Sequence, residues 1–305
     1  MKPDQCDRRT HVVKIYKNPI QGTQSRRRTG LFVALAALLS SCSSSRILDA
    51  LVPTDTYRAL TDQAYGADAR QRLDVYVPLT GSGPWPIVVF FYGGSWTNGN
   101  RADYRFVGEA LASRGILAVL ADYRLSPQVR YPVFLQDCAQ AVRWAFDRGT
   151  ALGGDPARLY AMGHSAGAYN AAMLALDPRW LAAVNLAPKQ LAGWIGIAGP
   201  YDFLPIKVPE VQLAFQWPGT PADSQPLFFA GSRAPRSLLI AAAKDVLVDP
   251  VRNTQAMAAK LQASGTAVQL ELLEGVSHVT VIAAMAKPLR RLAPVFERVV
   301  GFVGA

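Results

Sequence analysis

The chain has no dense basic run in its body, no bilayer-length apolar run, no internal repeat, and only three cysteines and three histidines. Each of these lacks removes a class of function. The formal net charge of +10 invites a nucleic-acid reading until it is located. Residues 1–41 hold eight Lys or Arg against two Asp, and the remainder holds 24 basic against 20 acidic residues. The excess therefore sits largely in the first segment, and nothing in the body is built to track phosphates, so nucleic acid is not an expected partner. The apolar run Leu31–Leu39 is nine residues, too few to span a bilayer as a helix. What is present in quantity is apolar side chain. Half of the 305 residues are hydrophobic and 18% are charged, the make-up of one or two packed domains.

The first 41 residues explain their own charge. "SRRRTG" precedes Leu31–Leu39, and small residues follow, which is the basic, apolar, small-residue order of a secretory signal. Leu39-Ser40-Ser41-Cys42 resembles the lipobox of bacterial lipoproteins. That resemblance implies cleavage before Cys42, lipidation of its sulfur and, with Ser43 next, an outer-membrane rather than inner-membrane destination. An ordinary cleaved signal peptide is the alternative. Cys6 leaves with the leader, so Cys138 is the one thiol left for the mature body. A single thiol forms neither an internal disulfide nor a cysteine metal cluster. Cys138 lies in "VFLQDCAQAVRWAFDRG", a helical pattern, and reads as a small buried apolar residue. Residues 42–64 read as a tether with at most one short helix, and 65–305 as the folded domain.

Within that domain, element types alternate. "RLDVYVP" (72–78) alternates as a half-exposed strand does. "PIVVFFYGG" (86–94) and "ILAVLADYR" (116–124) are continuous apolar runs, expected of strands buried on both faces. "DYRFVGEALASRG" between them has helical spacing and stops at Gly115. Further strands are expected at 158–163, 191–199, 237–245 and 267–275, with helices at 133–148, from Ala166, at 250–264 and at 279–303. Alternation of this kind predicts an α/β fold, a mostly parallel sheet with helices on both faces. Residues 201–236, with six prolines and several aromatics, depart from it and read as a cap or lid over the sheet.

The chemistry centres on "LYAMGHSAG" (159–167). Ser165 follows a predicted strand and opens a predicted helix, flanked by glycines at 163 and 167. A sharp turn there holds a nucleophile in strained geometry and lifts its Oγ at the carboxyl end of the sheet. It also aims the helix N-terminus, with the Ala166 N–H, at a developing oxyanion. A serine needs a base. His11 lies in the leader, and His164 adjoins Ser165, where neighbouring side chains on a tight turn point apart. His278 in "EGVSHVT" follows the last predicted strand and is the expected base, while His164 shapes the turn and its loss spares most activity. Asp245, closing "SLLIAAAKD", is the expected acid partner of His278. Asp249 precedes Pro250 and reads as a helix cap, kept as runner-up, and Asp202 is a third choice. "FFYGGSW" (90–96) supplies the second part of an oxyanion hole, with the Gly94 and Ser95 N–H groups beside Ala166. Tyr92 and Trp96 are candidate substrate contacts, as are Tyr201, Phe203, Phe215 and Trp217.

"FFYGGSW", "DYRLSPQVRYP", "GGDPARLYAMGHSAGAYNAA", "KDVLVD" and "VSH" stand in the order and spacing of the α/β-hydrolase superfamily. The chain resembles its Aes-type and BD-FAE-like carboxylesterases, which lie near hormone-sensitive-lipase-like enzymes. It is similar also to prenylcysteine methylesterases and arylformamidases. The resemblance covers roughly residues 65–303 and implies an α/β-hydrolase fold and hydrolysis of small or medium esters through an acyl-enzyme, with no metal or organic cofactor. It makes Asp122, Arg124 and Pro127 structural. Tyr92 departs from the HGGG-type esterase loop, where histidine is usual, and Ser95 stands where its third glycine would be. An arylformamidase-like amide hydrolase is the alternative, and a catalytically inactive surface-binding lipoprotein a remoter one.

Overall fold

Continuous apolar strands need cover on both faces, and the computed structural model, which describes residues 51–231 and 234–304, provides it. Eight strands form one sheet: β1 (Tyr57–Ala64), β2 (Arg72–Pro78), β3 (Trp85–Phe91), β4 (Leu117–Ala121), β5 (Gly154–His164), β6 (Leu191–Ile197), β7 (Ser237–Ala242) and β8 (Val268–Leu273). Their order across the sheet is β1-β2-β4-β3-β5-β6-β7-β8. β2 runs antiparallel to both β1 and β4, and the pairs from β4 through β8 are parallel. The predicted α/β architecture is the one observed. β4 and β7 are buried throughout and β3 nearly so, whereas β8, with Gln269, Leu270 and Leu272 exposed, closes one edge.

The order of β4, β3 and β5 determines where a site can form. The chain leaves β3 to one side for β4 and returns to the other side for β5, so the connections diverge between β3 and β5. The crevice outside the carboxyl ends of strands at such a switch is where ligands enter open α/β sheets. The Gly93–Trp96 loop follows β3 there, and Ser165 follows β5.

The helices that cover the sheet include α1 (Arg105–Ala112), α2 (Val133–Arg148) and α3 (Ala166–Leu176). Every residue of α3 is buried, which accounts for its apolar, small-residue sequence "AGAYNAAMLAL" on all sides. Cys138 is buried on α2, as expected. Asp137, fully buried on the same helix, accepts from the Arg124 guanidinium and backbone and from Gln71, so Arg124 has the structural role expected of it. Asp122 has one too, pairing with Arg101 and accepting its backbone N–H. Two short helices follow, α4 (Pro178–Ala182) and, in the cap, α5 (Pro209–Ala214). The 201–236 segment also carries α6 (Pro226–Phe229). Behind β7, a π-helical turn at Val251–Gln255 leads into α7 (Ala256–Ala263).

Three expectations are corrected. β2 is not half-exposed: residues 73–78 are all buried, because β1 and β4 flank it and α1 covers it. Tyr57–Ala64 is not a tether but β1, paired along β2. Its register shifts between Leu60 and Gln63 and it lies at a sheet edge, so its side chains alternate poorly between apolar and polar. The single helix expected over 279–303 is broken into α8 (His278–Ala283), a 3-10 turn at Lys287–Leu289 and α9 (Val295–Gly304). Pro288 and Pro294 lack the N–H that a continuous helix needs, and their rings clash with the preceding turn. The leader, Cys42 and the tether up to residue 50 lie outside the described residues. Among the described residues, no helix is long and apolar enough to cross a membrane.

Candidate active site

Ser165 sits in the turn between β5 and α3 at φ +54° and ψ −122°, a strained conformation for a residue with a side chain. The surroundings over-determine it. The Ser165 N–H donates to Ile197 O at 2.9 Å, and its carbonyl accepts from Ala168 N and Tyr169 N. A Cβ on Gly163 would stand 2.1 Å from Gly167 O, and one on Gly167 would stand 2.0 Å from Phe91 O. Only glycine fits at either position. The two glycines are therefore required by the close approach of β5, α3 and the end of β3, which brings Ser165 beside the Gly93–Trp96 loop.

His278 is the first residue of α8. Ser277 caps that helix reciprocally with Thr280: Ser277 N–H donates to Thr280 Oγ1 at 2.7 Å, and Thr280 N–H donates to Ser277 Oγ at 3.3 Å. The cap sets the backbone of His278, and its ring turns toward β5. His278 Nε2 lies 2.9 Å from Ser165 Oγ, and Nδ1 lies 2.7 Å from Asp245 Oδ2. A carboxylate only accepts, so Nδ1 carries the proton and Nε2 is free to accept from the serine hydroxyl.

Asp245 is three residues beyond the end of β7. Its Oδ1 accepts from the N–H groups of Leu247 at 2.9 Å and Val248 at 3.1 Å, leaving Oδ2 to His278. Burial pushes its pKa up, but the hydrogen bond and charge of His278 and the two N–H groups outweigh burial and hold it below the ordinary value of 3.8. Asp249 is a cap, as expected, with Oδ1 accepting from Val251 and Arg252 N–H. Asp202 pairs with Arg252 at 3.1 Å. Neither Asp249 nor Asp202 touches His278.

A pocket of about 540 Å³ opens at Ser165. Ser95, Trp96, Ala166 and His278 line it together with Phe203, Ile206, Val208 and Val211 of the cap and Val246–Val248 of the loop after β7. Ser95 and Trp96 have φ of +51° and +58°, so the loop after β3 is strained where it borders Ser165. Gly94 lies outside the lining, and its carbonyl accepts from Thr97 and Asn98 N–H. Among the described residues, no protein acceptor takes the N–H of Gly94, Ser95 or Ala166. No cluster of three or more His, Cys, Asp or Glu among them is arranged to hold a metal ion.

Tyr92, expected as a candidate substrate contact, does not line the pocket. It is buried, stacks on Tyr123 with ring centroids 4.7 Å apart, and its hydroxyl accepts from Arg70 at 2.6 Å. Strand pleating explains the placement: the ring one residue before the Gly-Gly turn points away from the pocket into the packing above β4. Trp96 does line the pocket, and its indole N–H donates to Asn170 Oδ1 at 3.0 Å. Of the cap aromatics, Phe203 lines the pocket. Tyr201 and Phe215 are buried, Phe215 packing edge-on to Trp96, and Trp217 lies on the surface. Asn170 and Tyr104 were not foreseen. Asn170 lies on α3 five residues beyond Ser165, and nothing in the local sequence marks it.

The sheet order, with the strand–Ser165–helix turn at its switch point, defines an α/β-hydrolase fold. Solved structures agree: an esterase from Pyrobaculum calidifontis superposes with a TM-score of 0.71 at 22% identity, covering 92% of this chain and 94% of that one. A family profile described as BD-FAE matches residues 73–261, more than half of the chain. The chain belongs to the BD-FAE family. An isoprenylcysteine alpha-carbonyl methylesterase of Arabidopsis thaliana is 29% identical over 247 residues, 74% of this chain and 57% of that protein. A kynurenine formamidase of Salmo salar is 32% identical over 149 residues, 49% of this chain and 48% of that protein. The chain spans less than two thirds of the length of these curated relatives.

Proposed function

We propose that the protein is a serine carboxylic-ester hydrolase that acts on small or medium esters through an acyl-enzyme. The observation that carries this reading is the hydrogen-bond chain from Ser165 Oγ through His278 to Asp245, open to a pocket on the serine side. His278 Nε2 takes the hydroxyl proton as Ser165 Oγ attacks the ester carbonyl. The N–H groups of Gly94, Ser95 and Ala166 are the donors proposed for the oxyanion, with Ala166 backed by the N-terminus of α3. Asp245 holds the Nδ1–H tautomer and stabilises the imidazolium. His278 then returns the proton to the leaving alcohol, and deacylation repeats the sequence with water in place of serine.

The apolar lining by Trp96, Phe203, Ile206, Val208 and Val211 favours a substrate with an apolar acyl or alcohol group. Turnover of p-nitrophenyl acetate and butyrate, compared with N-formylkynurenine, tests the reading. Ester turnover that exceeds formamide turnover supports it, and the reverse favours the formamidase reading that the kynurenine formamidase relatives motivate. Absence of both activities would sink both readings.

Export and lipid anchoring at Cys42, with an outer-membrane destination, belong to the proposal and rest on the basic and apolar segments before Leu39-Ser40-Ser41-Cys42 and on Ser43 after it. Labelled palmitate incorporated by the full chain in a bacterial host, and lost in Cys42→Ser, is the expected result. Equal labelling of both forms overturns the anchor.

A further inference from the structure

His164 stands next to the nucleophile yet makes its hydrogen bonds elsewhere. Its Nε2 lies 3.0 Å from the backbone carbonyl of His278, and its Nδ1 lies 3.3 Å from Tyr104 Oη. A carbonyl oxygen only accepts, so Nε2 carries the proton and Nδ1 accepts from the tyrosine hydroxyl. The same tyrosine oxygen accepts from the Gly93 N–H at 3.4 Å, the residue that opens the loop bearing Gly94 and Ser95. A Cβ on Gly93 would stand 3.2 Å from His164 Nδ1 and 2.9 Å from Ser165 Cβ, so loop and turn are in direct contact. The ring is packed as well as bonded, with centroids 5.1 Å from His278 and 6.2 Å from Tyr104.

We propose that His164 is a positioning residue: it ties the backbone of His278 to the end of β5 and, through Tyr104, to the Gly93–Ser95 loop. The inference rests on the reading of Ser165 and His278 as the reacting pair. Each of the three groups that must meet at a carbonyl carbon comes from a different segment. Ser165 comes from the turn after β5, His278 from the start of α8, and the oxyanion donors from the loop after β3 together with α3. Asp245 and Ser165 hold the two ring nitrogens of His278, and neither holds its main chain. His164 does, from a buried strand end. Loss of about 1 Å of placement at a reacting group costs on the order of 100-fold in rate, so an anchor of this kind matters to turnover without touching substrate.

Burial in this site, and then the neighbouring His278, push the His164 pKa down from 6.5 to about 3. The ring stays neutral through the neutral and mildly acidic range and keeps both of its roles, donor to His278 and acceptor from Tyr104.

A leucine at 164 fills the space without a donor, and a glutamine carries an amide N–H within reach of the His278 carbonyl. The experiment compares full-length wild type, His164→Leu, His164→Gln and Tyr104→Phe for kcat and KM on p-nitrophenyl butyrate. It also compares the low-field proton resonance of the His278 Nδ1–H in the unliganded proteins. The hydrogen bonds of His164 to His278 O and Tyr104 Oη revise the expectation that its loss spares most activity: His164→Leu is expected to lower kcat about ten- to a hundredfold with KM changed less than about threefold, and to broaden or shift the resonance. His164→Gln is expected to recover most of the loss. If His164→Leu does not fold, Tyr104→Phe, which frees Nδ1, carries the test with a smaller loss of kcat in the same direction. Wild-type kcat and an unchanged resonance in the leucine variant, or in Tyr104→Phe where that variant stands in, overturn the proposal, as do equal losses in the leucine and glutamine variants. An inactive wild type sinks the esterase reading, and the resonance then decides the positioning role by itself.

Discussion

Asp245 Oδ2 and His278 Nδ1 lie 2.7 Å apart across 33 residues of sequence, and both side chains are almost wholly shielded from solvent. That contact joins the end of β7 to the start of α8 and determines which ring nitrogen faces Ser165. Replacing Asp245 by asparagine keeps the shape but offers an amide to Nδ1, which favours the wrong tautomer. Asp245→Asn is expected to lower kcat by roughly 10³- to 10⁴-fold with little change in KM, measured on a short p-nitrophenyl ester.

Asp249 separates from Asp245 by the same logic. Its carboxylate is occupied with the N–H groups of Val251 and Arg252. Asp249→Ala is expected to cost about 1 kcal/mol of unfolding free energy in urea titration and to leave kcat within a few-fold. A loss of activity comparable with that of Asp245→Asn would reverse the assignment.

Tyr92 braces the Gly93–Trp96 loop from behind. Its hydroxyl accepts from Arg70, and its carbonyl accepts from the Tyr123 hydroxyl at 2.9 Å. Tyr92→Phe leaves the Arg70 guanidinium one partner short, although Gly99 O still accepts from it. Destabilisation of about 1–3 kcal/mol is expected, with KM unchanged across acyl chain lengths. A chain-length-dependent change in KM would show Tyr92 in contact with substrate after all.

Trp96 is a wall of the pocket and a core residue at once, packed against Phe134, Tyr169, Phe203 and Phe215. Trp96→Leu is expected to lower stability by about 3 kcal/mol or more. It is also expected to raise the ratio of kcat/KM for octanoate over acetate esters, because the removed ring borders Ser95. An unchanged ratio would place the acyl chain on the opposite side of the pocket.

Acid stability follows from His164. Between pH 6.5 and about 3 the unfolded chain binds a proton at this residue that the folded chain does not. Acidification through that window therefore favours unfolding, and stability rises again as pH rises toward 6.5. Going from pH 7 to pH 5, His164 alone is expected to remove about 2 kcal/mol of stability. Chemical denaturation at the two pH values should show His164→Gln losing less stability than wild type by about that amount. Equal losses would mean that the ring is protonated in the folded protein.

The central strands and the strained turn at Ser165 were legible in the sequence for local reasons. β3 and β4 are unbroken apolar runs because helices cover both of their faces, and Ser165 is flanked by the two glycines that the turn's close contacts require. His278 emerged by elimination among three histidines, and Asp245 by its place after a strand, with its neighbour Asp249 marked as a cap by Pro250. What escaped were properties of the assembled fold. β1 hides behind a register shift and an exposed edge. The breaks at Pro288 and Pro294 are the exception, marked locally by the prolines but masked by an apolar spacing that runs on across them. Tyr92 and Trp96 are four residues apart in one loop, yet one faces Arg70 and the other the pocket, and no local pattern distinguishes them. Tyr104 enters the site only because α1 leads back to β4, next to β3.

The most direct test of the account is the site of covalent capture by a fluorophosphonate, read by peptide mass spectrometry on wild type and His278→Ala. The account predicts a single adduct on Ser165 that forms in stoichiometric yield with wild type and is slowed by orders of magnitude in His278→Ala. An adduct on any other residue, or equally fast labelling of Ser165 in both proteins, would contradict it.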